Sequence, residues 1–118
     1  MRLAADIAVV LVALLHVYFL VLEMFLWDKP YGRRVFGLTP EFSQASKSLA
    51  ANQGLYNGFL VAGLVWGLFA DPGALAIKVF FLSCVVVAGV FGGFTASRKI
   101  LLVQALPGTI ALGLVIAA

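Results

Sequence analysis

Cysteine and histidine are almost missing from this chain: Cys84 and His16 are the only two. One cysteine excludes an internal disulfide and a cysteine-rich metal centre. Zinc would need more histidine or cysteine than is available, so no metal site is expected. Cys84 reads as a small apolar residue buried in a helix. Charge is scarce as well, with charged residues at 11% of the sequence against roughly 25% in soluble domains. No helix-length segment carries the polar stripe that a soluble bundle turns to water. With 118 residues the chain has room for one domain, 1–118, and for no second core.

What fills the sequence is hydrocarbon, at 64% hydrophobic residues. Four apolar segments, at 5–27, 48–69, 74–95 and 100–117, approach the roughly 20 helical residues that a bilayer core requires. The expected fold is all-α: an up-down bundle of four transmembrane helices, at about 5–27, 40–69, 74–95 and 99–117, with both termini on one side. The first segment is longer than a signal peptide. It ends in Phe25-Leu26-Trp27 and carries Glu23 where a cleavage region would begin, so it is read as a retained span.

The basic balance, eight Lys and Arg against five acids, does not point to nucleic acid, because the basic residues sit in loops without interleaved aromatic platforms. Lys29, Arg33, Arg34 and Lys47 lie in the loop 28–47, and Arg98 and Lys99 in the turn 96–99. These six outweigh Arg2 and Lys78 on the other side. The positive-inside rule then puts both termini outside and the two basic loops in the cytoplasm of a multi-pass inner-membrane protein. Such loops also meet anionic lipid headgroups.

Within the long loop, Pro30 and Gly32 mark a turn. Thr39-Pro40-Glu41 has the order of a helix start: a Thr cap, Pro at the first position, an acid in the first turn. Nothing after it breaks a helix before Asp71-Pro72-Gly73, so the second helix is expected to run unbroken over 40–69. Gly89 with Gly93, and Ala88 with Gly92, make small-residue faces that let helices approach closely. The spacing leaves open whether the partner is this chain or a neighbour. Pro107 lies inside the fourth helix, frees the carbonyl four residues back, and is expected to kink it.

Polar residues inside the spans carry any chemistry there is. His16 and Glu23 are seven residues apart, close to two helical turns, and share a face. Asn52, Gln53, Tyr56 and Asn57 pair at i,i+4 and are expected to form one polar face. Rise per residue places Glu23 roughly 6 Å and Gln104 roughly 8 Å inside the cytoplasmic ends of their helices. A carboxylate balanced between apolar surroundings and a cation such as His16 or Arg98 suits acid–base work or proton coupling. The expected site therefore has Glu23 and His16 as catalytic groups, with Tyr18, Asn52, Gln53, Tyr56, Asn57, Gln104 and Arg98 around a small lipophilic ligand. His16 is also the one residue that could ligate a haem.

Three readings stay open. One is an intramembrane enzyme of isomerase or transferase type. Another is a proton-coupled transporter subunit, which four spans could form only as an oligomer. The last is a non-catalytic module binding lipid or a partner, its polar groups closed by their own hydrogen bonds.

The motifs His16-x-Tyr18-x4-Glu23-Met24-x2-Trp27 and Asn52-Gln53-Gly54-Leu55-Tyr56-Asn57-Gly58, with Ala88-Gly89-x2-Gly92, Thr95 and Gln104-x2-Pro107, resemble an uncharacterised family. It consists of small bacterial four-span membrane proteins catalogued as a domain of unknown function. A more distant architectural likeness is to the membrane-associated eicosanoid and glutathione enzymes. That likeness implies a homo-oligomer, a trimer, and glutathione as cofactor. Asn52 stands at their Asn position, while Ser48 and Leu55 occupy the places of their Arg and Glu. Styrene oxide isomerase is similar in size and in having a histidine that would match His16, which implies haem.

Overall fold

The computed structural model describes residues 1–118, and all its regular structure is helical. The elements are α1 (Arg2–Met24), α2 (Pro30–Phe36), α3 (Pro40–Ala45), α4 (Lys47–Phe69), α5 (Ala74–Thr95), a π-helical segment (Leu101–Ala105) and α6 (Leu106–Ala117). The chain divides into two compact units, one of Met1–Leu14 with Ala62–Ala118, the other of Leu15–Val61.

Two helices, Arg2–Met24 and Ala74–Thr95, are long and apolar enough to cross a membrane. Of the four expected spans these two meet both conditions, and the other two miss one each for local reasons. α4 has 23 residues, but Lys47, Ser48, Asn52, Gln53 and Asn57 dilute its first half. The last apolar helical stretch, Leu101–Ala117, is shorter, about 25 Å at 1.5 Å per residue.

In the first unit, small residues decide the packing. A methyl group added to Gly89 would stand 2.5 Å from the backbone nitrogen of Ala105 and 2.9 Å from its Cβ. On Gly108 it would meet Val85 at 2.8 Å. The glycine face of α5 thus receives the π segment and α6 of the same chain, which answers the question of its partner. Leu82, Val85, Ala111 and Val115 are buried there. Pro107 occupies the first turn of α6, and the wide turn precedes it: the Leu106 N–H donates to the Leu101 carbonyl, five residues back. A π turn absorbs the proline where a simple kink was expected. At the start of α5, Lys78 pairs with Asp6 at 3.6 Å, and its stem lies against Gly67.

In the second unit, α1 ends at Met24, short of the expected Trp27. Residue 27 is instead used sideways: the Trp27 Nε1–H donates to Ser46 Oγ at 2.9 Å, and its ring meets Phe36 at 4.9 Å. The loop is structured by α2, whose Pro30 fills the first turn and whose end is closed by Gly37 in the left-handed region, φ 66°. Leu26 and Gly32 touch closely enough that no side chain fits at residue 32. Thr39 caps α3 as expected, its Oγ1 accepting from the Phe42 N–H at 3.1 Å. The unbroken 40–69 helix does not form. Ser46 interrupts it: its hydroxyl donates to the Phe42 carbonyl at 2.7 Å while accepting from Trp27.

Candidate functional site

The buried polar side chains, His16, Ser43 and Asn57, all lie in the second unit, on α1, α3 and the first half of α4. Burial along α1 follows Ala5, Val9, Val12 and His16, steps of four, three and four that trace one face of a helix. His16 is completely buried, and Glu23, two turns on, is half-buried on the same face. Their shared face is as the spacing predicts. The His16 ring meets Phe19 edge-on at 5.4 Å.

The corresponding stripe of α4 runs through Ala50, Gly54 and Asn57, all buried. Asn57 donates from Nδ2 to Glu23 Oε1 at 2.5 Å. The glycine one turn before it lets the helices close to that distance. A methyl on Gly54 would lie 2.5 Å from Met24 Cγ, 3.2 Å from Glu23 Cβ and 3.3 Å from the Leu20 carbonyl oxygen. Gly58 is backed by Leu20 in the same way, at 3.1 Å. The acid and the amide therefore meet across a tight crossing of backbones, without room for a third molecule at Gly54. No buried side-chain nitrogen or oxygen lacks a hydrogen-bond partner.

The other expected site residues are placed differently. Asn52, Gln53 and Tyr56 are exposed, so the four polar residues of α4 do not share one face. The reason is angular: five residues turn a helix by about 500°, leaving Asn52 about 140° from Asn57. Tyr18 is exposed too, and its hydroxyl is 2.7 Å from that of Tyr31, a contact between α1 and α2. Gln104, half-buried in the π segment, and Arg98, exposed in the turn before it, belong to the first unit.

Sequence reasoning missed a second polar group in this unit, at the end of α1. Lys47 pairs with Asp28 at 3.1 Å, and the Arg33 guanidinium donates to the Asp28 carbonyl. The Lys47 ammonium holds the Asp28 carboxyl below its ordinary value. Arg34 stacks over the Tyr31 ring, 5.7 Å from its centre. The Trp27–Ser46 bond belongs to the same construction. The available signal was compositional: Trp27, Asp28 and Lys47 bracket the loop. Nowhere do three or more His, Cys, Asp or Glu side chains gather in a way that could hold a metal ion.

What the inward pair can do chemically is limited by its setting. One carboxylate oxygen is engaged by an amide, and the glycine crossing packs against the stem of the acid. Such a pair links helices strongly, because an unmatched polar group in an apolar environment is costly.

A family model described as "Protein of unknown function (DUF1304)" matches residues 10–116, which include both α1 and α4 motifs. The chain is also similar to an uncharacterised protein, YpaA, of Lactococcus lactis subsp. lactis (strain IL1403). The two are 32% identical over 106 residues, covering 88% of this chain and 89% of that one. No solved structure matches the chain.

Proposed function

The chain belongs to the family of proteins of unknown function designated DUF1304, and from that footing we propose a non-catalytic membrane module. In this reading it crosses the membrane four times as a single integral domain. The termini lie outside, and the loops 28–47 and 96–99 lie in the cytoplasm. The two long apolar helices support membrane insertion. So does their exposure: only 28% of the α1 window and 17% of the α5 window are buried, whereas the core helix of a soluble protein hides most of its apolar surface. The six loop cations support the orientation.

The observation that carries the functional reading is the Asn57–Glu23 hydrogen bond beside the Gly54 crossing. Hydrogen bonds of this type join membrane helices. The partner-binding capacity of the molecule then lies on its outer surfaces, in contact with lipid or with another protein. The enzyme reading asks for an open chamber on Glu23, with Asn52, Gln53 and Tyr56 turned toward it. Those three side chains are exposed instead.

Native mass spectrometry of the protein extracted with its own lipids, as wild type and as Glu23→Gln, separates the readings. A structural joint predicts the same bound molecules in both, since glutamine keeps the acceptor oxygen. A small molecule that is held by the wild type and is lost, or accumulates unreacted, in Glu23→Gln would give the carboxylate a chemical role and overturn the proposal.

A further inference from the structure

The outer face of α4 presents an unusual combination for a helix within a membrane. From Ser48 to Ala70 there is no charged residue, yet Asn52 and Gln53 are exposed and their side chains make no hydrogen bond within the chain. Around them stand Leu49, 76% exposed, Tyr56, 50%, and Phe59, 57%. The Tyr56 ring leans on Phe59, with centroids 6.0 Å apart. Residues 49, 52, 53, 56 and 59 follow the three-and-four spacing of a helix–helix seam. The opposite stripe of α4, through Gly54 and Asn57, already serves α1. Asn52 lies about 8 Å and Tyr56 about 14 Å along the helix from Lys47. Lipid tails offer neither donors nor acceptors at such depths, and an unmatched amide there costs free energy.

We propose that this face of α4 docks against the same face of a second copy of the chain, with the amides of Asn52 and Gln53 bonding across the seam. The inference rests on the membrane reading above and names its partner. Three features select a second copy. A carboxamide carries donors and an acceptor together, so it complements itself. The face has no charge to repel its double. In a membrane the symmetry axis of a closed homo-oligomer stands along the membrane normal, so identical residues meet at identical depth. The Leu49, Tyr56 and Phe59 side chains supply apolar contact on both sides of the amides, as at a packed interface.

The test is oxidative cross-linking of the full chain in native membranes, in a Cys84→Ser background with single cysteines at Leu49, Tyr56 or, as a control on the exposed face of α5, Val87. Disulfide-linked dimers are expected for Leu49→Cys and Tyr56→Cys and not for Val87→Cys. Adding Asn52→Leu together with Gln53→Leu should reduce the Leu49→Cys dimer at least fivefold. Monomers at both α4 positions, equal dimers at all three, or a dimer indifferent to loss of the amides each overturns the proposal. Alkaline extraction of the same membranes keeps the two levels apart. Release of the chain into the soluble fraction would overturn the membrane reading and this inference with it. Retention without cross-linking would overturn the α4 seam alone.

Discussion

At the scale of single residues, the distinction that matters is between polar groups that are matched and those that are not. Glu23 and Asn57 are matched to each other, and the sequence announced only half of this. A separation of seven residues leaves a pair about 20° apart around a helix, which makes the shared face of His16 and Glu23 legible. A run of Asn-Gln-Gly-Leu-Tyr-Asn spreads its polar members over two faces, and the choice of Asn57 as the inward one depends on where Gly54 admits α1. That is tertiary information.

The matched pair makes a quantitative prediction. Leucine in place of Asn57 alone leaves the carboxylate without its donor and should destabilise the chain by about 1–3 kcal/mol. Glu23→Leu alone leaves the buried amide unmatched. The two together should cost much less than their sum, since replacing both partners by apolar groups is close to neutral. Reversible unfolding in micelles measures the cycle. Additive effects, with no coupling, would show that the hydrogen bond does not join the helices.

Among the elements, the most legible was α5, which spans Ala74–Thr95 as expected. Its ends are set by local signals: Gly73, at φ 98°, and the small polar turn after Thr95. The start of α3 was equally plain, because a Thr-Pro-Glu cap is built from neighbours. Elements that depend on distant partners were not readable. Ser46 separates α3 from α4, and its hydroxyl accepts from Trp27, 19 residues away. α2 is seven residues long, too short for a periodic pattern, although Pro30 was a usable start signal. Pro107 announced a disturbance, while its form as a π turn, with Ala105 abutting Gly89, did not show in the sequence.

This crossing gives the prediction at element scale. Gly89→Ala sets its methyl against the main chain of Ala105, which cannot swing aside as a side chain would, and should destabilise by about 1–3 kcal/mol. Gly113→Ala, with nothing within 4 Å of the added atom, should be neutral or gain up to about 1 kcal/mol from helix propensity. Thermal unfolding of the two variants in the same detergent measures the difference. Equal behaviour would mean that α5 and the π segment are not in close contact.

For the molecule as a whole, composition foretold an all-helical, lipid-compatible chain, and two of its apolar segments fall short of a span for different reasons: α4 is the least apolar of the long helices, and Leu101–Ala117 is apolar but short. The amides of α4 lower its hydropathy and at the same time give it partners, Glu23 inside and, in our reading, a second copy outside. Leu101–Ala117, which includes the π segment, begins only after the turn that follows α5. In the four-span topology we propose, both cross the membrane, and the seam and the cytoplasmic loops depend on it.

That topology differs from a two-span one in where residues 71 and 97 emerge. Single cysteines at Asp71 and Ser97, again without Cys84, can be treated with a membrane-impermeant maleimide in sealed right-side-out vesicles. Four crossings predict labelling at residue 71 from outside, with residue 97 protected until the vesicles are opened. Protection at 71 with labelling at 97 would mean that only α1 and α5 cross, and would contradict the account.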